Sequence, residues 1–204
     1  MKIAIIDYGM GNIHSVAKAL ELSGARTIVT NKKSEIESAD KLVLPGVGAF
    51  DDAIKELEKQ GLVAVIKEQV KKGKPFLGIC LGLQLLLEES QEAKENKGLG
   101  LLEGKVVKFS AKSGQKIPHM GWNNLKCVAQ DCALLDGIID SPQVYFCHSY
   151  YPNPALKSVI AATTDYGLEF PCVLYKDNIF GVQFHPEKSQ LVGQRIVKNF
   201  VEKC

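Results

Sequence analysis

The chain has 204 residues, 46% of them hydrophobic and 24% charged, with a formal net charge of +2. That composition fits one soluble globular domain spanning 1–204, long enough for a substantial core and too apolar for disorder. No cluster of Lys and Arg is interleaved with aromatics and no apolar run approaches membrane-spanning length, so neither a nucleic-acid nor a membrane partner is expected.

Lys2 to Asp7 reads as a buried strand, its apolar run stopping at an acid before a signal-peptide core is complete. A tight glycine turn follows at Gly9 to Asn12. Ile13, Val16, Ala17 and Leu20 then recur at helical spacing until Gly24. Strands are predicted at Arg26 to Thr30 and at Lys41 to Leu44, the second running into Pro45-Gly46-Val47-Gly48. Two amphipathic helices, Asp51 to Gln60 and Leu62 to Lys72, lead to a strand over Phe76 to Ile79 and a helix over Leu81 to Glu88.

Beyond about residue 100 long helices give way to short strand candidates. They lie at Gly104 to Phe109, Asn124 to Val128, Gln143 to Tyr151, Ser158 to Thr164, Cys172 to Tyr175 and Phe180 to Phe184, with a hairpin turn at Lys176-Asp177-Asn178. Gln91 to Gly98 reads as a polar loop. A last helix, Ser189 to Lys203, is expected to bury Leu191, Val192, Ile196, Val197 and Phe200. The pattern predicts an α/β fold: three layers, a mostly parallel central sheet with helices on both faces, and an antiparallel extension in the C-terminal half. In such sheets the loops at the carboxyl ends of strands gather on one edge, here Tyr8 to Asn12, Pro45 to Gly48 and Cys80.

Cys80 carries the chemistry. It stands between a strand and a helix in the frame Gly78-Ile79-Cys80-Leu81-Gly82, the pattern of a nucleophile elbow, whose sharp turn needs small neighbours. A helix N-terminus beyond it offers backbone N–H groups and positive dipole to a thiolate. A cysteine nucleophile needs a base, and the base needs an acceptor to hold its other ring nitrogen. His185-Pro186-Glu187 supplies both, and Pro186 keeps its predecessor extended, so that His185 and Glu187 can project to one side. Acyl transfer also needs donors for an oxyanion. The Leu81 N–H is one, and the Pro45 to Gly48 loop, if it is more than a plain tight turn, supplies the other at Val47 and Gly48.

The six cysteines (80, 127, 132, 147, 172 and 204) form no C-x-x-C pair and have no metal-ligand spacing with histidine. No metal is expected, and a reduced, cytoplasmic setting fits.

Cys80 in Gly-Ile-Cys-Leu-Gly with His185-Pro-Glu187 resembles the class I, triad-type glutamine amidotransferases, which have a flavodoxin-like fold. The resemblance implies hydrolysis of glutamine through a glutamyl thioester with release of ammonia and no cofactor. It makes Cys80 the nucleophile, His185 the general base and acid, and Glu187 the group that orients the imidazole. Gly48, Gln84, Ser149 and Tyr150 would contact glutamine; by position alone Gln84 is equally a helix-surface amide, and Tyr150 equally a core aromatic. Ile6 to Asn12, Pro45 to Phe50, Pro118 to Asn123 and Gln183 to Ser189 narrow the likeness to glutaminase subunits of the synthase that closes the imidazole ring in histidine biosynthesis. Since the chain has no acceptor domain, that likeness implies a separate (β/α)8 barrel cyclase as partner in a heterodimer, met through Asn12, Trp122, Tyr145 and Lys188. A single tryptophan suits an interface anchor or a buried core position. The alternatives are a related subunit serving a sugar-nucleotide amidotransferase, a stand-alone cysteine hydrolase and a non-catalytic regulatory module.

Overall fold

The computed structural model describes residues 1–110, 115–139 and 141–204. In chain order β1 (Lys2–Ile6), α1 (Ile13–Leu22), β2 (Arg26–Thr30), α2 (Lys33–Ser38), β3 (Lys41–Gly46), α3 (Phe50–Lys59), α4 (Leu62–Lys71), β4 (Phe76–Cys80) and α5 (Leu81–Gln84) alternate. The remainder is strand-rich: β5 (Glu89–Ser90), β6 (Gly104–Lys108), β7 (His119–Asn124), β8 (Lys126–Cys127), β9 (Gln143–His148), β10 (Tyr150–Pro154), β11 (Ile160–Asp165), β12 (Glu169–Lys176) and β13 (Ile179–Val182). Helix α6 (Gln190–Glu202) follows.

The large sheet runs in the order β2-β1-β3-β4-β13-β12-β11-β8. Its first five strands are parallel and its last three antiparallel, which is the α/β architecture with an antiparallel extension that the pattern predicts. Alternation along each strand builds two cores. Ile3, Ile5, Val43, Leu77 and Ile79 face α1 and α6 through Val16, Leu20, Ile196, Val197 and Phe200. Ala4, Ile6, Leu42, Leu44 and Phe76 face the other way, toward Ile36, Ile54, Leu57, Val65 and Ile66 of α2, α3 and α4. Each of these large side chains contributes about 1.5–3 kcal/mol by leaving water. Lys41 is the buried cation at this sheet's base, donating from Nζ to the carbonyls of Phe200 (2.7 Å) and Val201 (3.0 Å), and also to that of Cys204, at the end of α6. No described helix is long and apolar enough to cross a membrane.

Several elements differ from the sequence reading. The helix expected to reach Glu88 stops at Gln84, where the fully buried Leu85, Leu86 and Leu87 turn their backbone to another segment of the chain. Their carbonyls accept instead from the N–H groups of Leu99, Leu101, Leu102 and Gly100. Strand β7 lies where the sequence pattern predicts no strand before Asn124, paired antiparallel with β9 so that Trp122 opposes Tyr145 and His119 opposes His148. The single strand expected over Gln143 to Tyr151 divides at Ser149, where β9 leaves β7 and β10 joins β6. The antiparallel half is therefore an extension of the main sheet plus two small sheets, β10-β6-β5 and β7-β9. Leu191 is not buried but 79% exposed, since it lies off the face that Ile196, Val197 and Phe200 turn inward. The short helix α2 carried too little apolar periodicity to be seen, with Ile36 its one buried residue.

Candidate active site

Parallel register brings the carboxyl ends of β1, β3, β4 and β13 to one edge. Gly46 pairs with Cys80 across β3 and β4, so the loop after β3 lies beside the thiol. Cys80 itself has φ 56° and ψ −108°, a conformation L-residues rarely adopt and one that costs about 1–3 kcal/mol. The glycines around it are sterically required. A Cβ on Gly78 would lie 2.5 Å from the Gly82 carbonyl oxygen, and one on Gly82 would lie 1.9 Å from that of Leu44. The turn thus presses β4, α5 and β3 together and leaves the Cys80 side chain projecting from the edge.

His185 reaches Cys80 from the end of β13. Its Nδ1 lies 2.9 Å from Glu187 Oε1, which leaves Nε2 available to the neighbouring Cys80 thiol, with which it shares the cleft. Both side chains are almost wholly buried. Burial by itself pushes the His185 pKa down, but the hydrogen bonds and charges of Cys80 and Glu187 outweigh it and raise the value from 6.5 to about 10. The imidazole is therefore charged at neutral pH, placed to stabilise a thiolate and to deliver a proton. Glu187 Oε1 also accepts from Asn12 Nδ2 at 3.2 Å. Asn12, expected at a partner face, turns its amide inward onto the Glu187 carboxylate.

A cleft of ≈ 350 Å³ opens over the thiol, lined among others by Val47, Gly48, Gln84, Ser149, Tyr150 and His185. The residues predicted from remote parts of the sequence to contact glutamine thus share one cavity. Gly48 has φ +97°, so the backbone of this loop uses the freedom that glycine permits. Leu81 opens α5, and the first N–H groups of a helix have no intrahelical acceptor; with only four residues in α5, this N–H acts as a local donor more than through a macrodipole. Gln84 is buried and spends both amide hydrogens, on the Tyr150 carbonyl (3.0 Å) and Gln183 Oε1 (3.2 Å). What it can offer a ligand is its carbonyl oxygen.

The sequence reading missed Gln183 behind the thiol and Glu92 in the cleft wall. Gln183, fully buried, points its Nε2 at Cys80 Sγ (3.8 Å); its place two residues before His185, on the same side of an extended chain, was the available signal. Glu92 belongs to the stretch taken as merely a polar loop. It lines the cleft while its Oε2 accepts from the Phe50 N–H at 2.9 Å, the first residue of α3, and it gives the cavity a carboxylate suited to an ammonium group. Among the described residues no group of three or more His, Cys, Asp or Glu could hold a metal ion.

A strained thiol, a carboxylate-held imidazolium and a glycine loop around one cleft are parts of an acyl-transfer site. The family model for class-I glutamine amidotransferases matches residues 4–204. The chain belongs to that family. It is 52% identical over 204 residues to "Imidazole glycerol phosphate synthase subunit HisH 1" of Methanococcus maripaludis, covering 98% of both chains. It is 51% identical to the "Imidazole glycerol phosphate synthase subunit HisH" of Caldanaerobacter subterraneus subsp. tengcongensis, covering 99% of both. In fold it is similar to the structure of PurLQS from Thermotoga maritima, with a TM-score of 0.76 at 18% identity over 98% of this chain and 95% of that one.

Beside the cleft the amidotransferase carries an aromatic ledge. Trp122 is 45% exposed and Met120 60%, both on the outer face of β7. Trp122 packs edge-on to Tyr145 at 6.0 Å between centroids, and Lys188 Nζ lies 5.9 Å from the centre of the Tyr145 ring. Trp122, Tyr145 and Lys188 therefore form one group, with Lys188 also lining the cleft, whereas the tryptophan's core reading does not hold.

Proposed function

We propose that this chain is the glutaminase subunit of an imidazole glycerol phosphate synthase, working in the cytoplasm and passing ammonia to a separate (β/α)8 barrel cyclase in a heterodimer. The observation that carries the chemistry is Cys80 on its strained turn, lining one cleft with a His185 that Glu187 holds. The assignment to histidine biosynthesis is supported by identities of about one half over nearly the whole chain to curated subunits of that synthase.

Glutamine enters with its α-ammonium toward Glu92 and the Gln84 carbonyl oxygen, and its side-chain amide toward Cys80. The Cys80 thiolate attacks the amide carbon, forming a C–S bond and an oxyanion that accepts from the Leu81 N–H and from a Val47 or Gly48 N–H. His185 gives its proton to the departing nitrogen, the C–N bond breaks and ammonia leaves a glutamyl thioester. Water then attacks the thioester, His185 takes the proton, and glutamate departs with the thiolate restored. The ledge of Trp122, Tyr145 and Lys188, with exposed Met120, gives the barrel an apolar and cationic face to dock on.

The test is glutamine hydrolysis by the chain alone, with the barrel cyclase, and with cyclase plus its phosphoribulosyl aminoimidazole carboxamide nucleotide. Low activity alone and strong stimulation by the pair is expected. Stimulation by a sugar-nucleotide amidotransferase instead would reassign the acceptor, and no response to either would remove the subunit reading.

A further inference from the structure

Two buried histidines outside the catalytic group form a directed line of hydrogen bonds into the cleft. His148 Nδ1 lies 2.7 Å from the Tyr150 carbonyl, and its Nε2 lies 3.0 Å from His119 Nδ1. His119 Nε2 in turn lies 3.3 Å from Asn123 Nδ2. The orientation of the line follows from its ends. The Tyr150 carbonyl can only accept, so His148 carries its proton on Nδ1. At the other end the Asn123 amide is fixed because its Nδ2 also donates to the Asp165 carbonyl (2.7 Å) while its Oδ1 accepts from the Asn124 N–H (2.8 Å). His119 Nε2 must then accept, and His119 Nδ1 donates to His148 Nε2. A second proton on either ring would set donor against donor, so the line holds together only with both rings neutral.

The rings are clamped as well as bonded. His119 is stacked between Phe146 (4.7 Å between centroids) and Tyr166 (4.0 Å), and His148 is flanked by Phe109 and Phe170. Both histidines are buried, at 2% and 6% exposure. The carbonyl at the inner end is shared with Gln84 Nε2, so the same oxygen ties together the Ser149–Tyr150 wall and the amide beside the thiol. The strand pairing of β7 with β9 stops at the His119–His148 pair, just where the chain turns into that wall.

We infer that His148 and His119 are positioning residues for the glutamine pocket: the Asn123–His119–His148 line holds the Tyr150 carbonyl, and with it Gln84 and the Ser149–Tyr150 wall, in the geometry that receives the substrate. The inference rests on the reading of the cleft as a glutamine site. His148 itself lines the cleft, but both its ring nitrogens are spent on the Tyr150 carbonyl and on His119, so its effect passes through the wall and bears on binding and not on bond breaking.

The experiment is glutamine hydrolysis in the presence of the barrel partner, with KM and kcat read separately, for His148→Gln, His148→Asn, His119→Phe and His119→Asn. Asparagine can set its amide nitrogen where Nδ1 was, and glutamine cannot. His148→Gln and His119→Phe are expected to raise KM about tenfold, the loss of one net hydrogen bond, with kcat within about threefold of the wild type. The asparagine variants are expected to recover most of the loss. Wild-type KM in His148→Gln, a fall in kcat at unchanged KM, or His148→Asn no better than His148→Gln would overturn the inference. Histidine ¹⁵N spectra of the unaltered protein supply a reading independent of variant folding: both rings neutral and protonated on Nδ1 are expected, and an Nε2-protonated His148 overturns the line. Labelling of Cys80 by a glutamine-mimicking electrophile in the wild type keeps the glutamine reading intact whatever the variants do; failure to label removes that reading and leaves the spectra to judge the line itself.

Discussion

The parallel half of the sheet and the antiparallel strands beyond it divide the work of the cleft. The parallel strands deliver reacting groups by register: Cys80 at the end of β4, the Pro45 to Gly48 loop one strand away, and His185 just past β13. The antiparallel side, β7, β9 and β10, delivers the wall and the ledge, through Ser149, Tyr150, Tyr145 and Trp122. The first region is pinned by backbone strain and glycine contacts, the second by aromatic packing and side-chain hydrogen bonds. Losses in the first should therefore abolish chemistry or folding, and losses in the second should change affinities.

The largest effect is expected at the thiol. Cys80→Ala should lower glutamine hydrolysis by about four orders of magnitude or more while leaving the circular dichroism spectrum unchanged; retained thioester on acid quenching would place the nucleophile elsewhere. Gly82→Ala comes next, because its Cβ would sit 1.9 Å from the Leu44 carbonyl oxygen. A loss of about 3 kcal/mol in denaturant unfolding is expected, the upper range of overpacking, and a neutral result would mean the elbow is looser than its glycines imply. On the other side Trp122→Ala should weaken binding of the barrel partner by about 2 kcal/mol, roughly thirtyfold, with hydrolysis by the isolated chain unchanged; titration calorimetry separates the two. Glu92→Gln should raise KM for glutamine about tenfold, with little change in kcat, if its carboxylate meets the α-ammonium.

A pH dependence divides along the same line. Burial holds His119 neutral, with a pKa of about 4 against an ordinary 6.5. Burial likewise holds His148 at about 3, the Tyr150 hydrogen bond opposing the shift and the neighbouring His119 and His185 adding to it. The unfolded chain binds more protons at these positions, so their contribution is complete above pH 6.5 and declines as pH falls toward 4 and then 3. His185 has the opposite sign. Its value of about 10 exceeds the unfolded 6.5, so its contribution is complete below 6.5 and is lost as pH rises through 10. Thermal unfolding followed across pH should thus lose its alkaline decline in His185→Gln and soften its acid decline in His148→Asn; an unchanged acid limb would place those protons elsewhere.

Much of the first region was legible because its signals are local. Apolar runs mark the parallel strands, and the elbow needs its cysteine and glycines within five consecutive residues, Gly78 to Gly82. His185 and Glu187 were legible because Pro186 fixes the backbone between them. The second region was read less well. Strand β7 contains Gly121 and two asparagines, residues that weaken a strand signal, and becomes a strand only because β9 supplies its partner. Glu92 was missed because nothing local distinguishes a polar loop that folds back over a cleft from one that lies in solvent.

The sequence by itself determined the alternation of strands and helices, the glycine frame of Cys80 and the pairing of an imidazole with a carboxylate, since each depends on neighbours in the chain. Only tertiary structure decided that α5 would end at Gln84, that Asn12 would serve Glu187, that Gln183 would face the thiol and that two histidines 29 residues apart would share a proton line. Those outcomes depend on which buried donors and acceptors meet across the fold, and burial leaves each of them no water to fall back on.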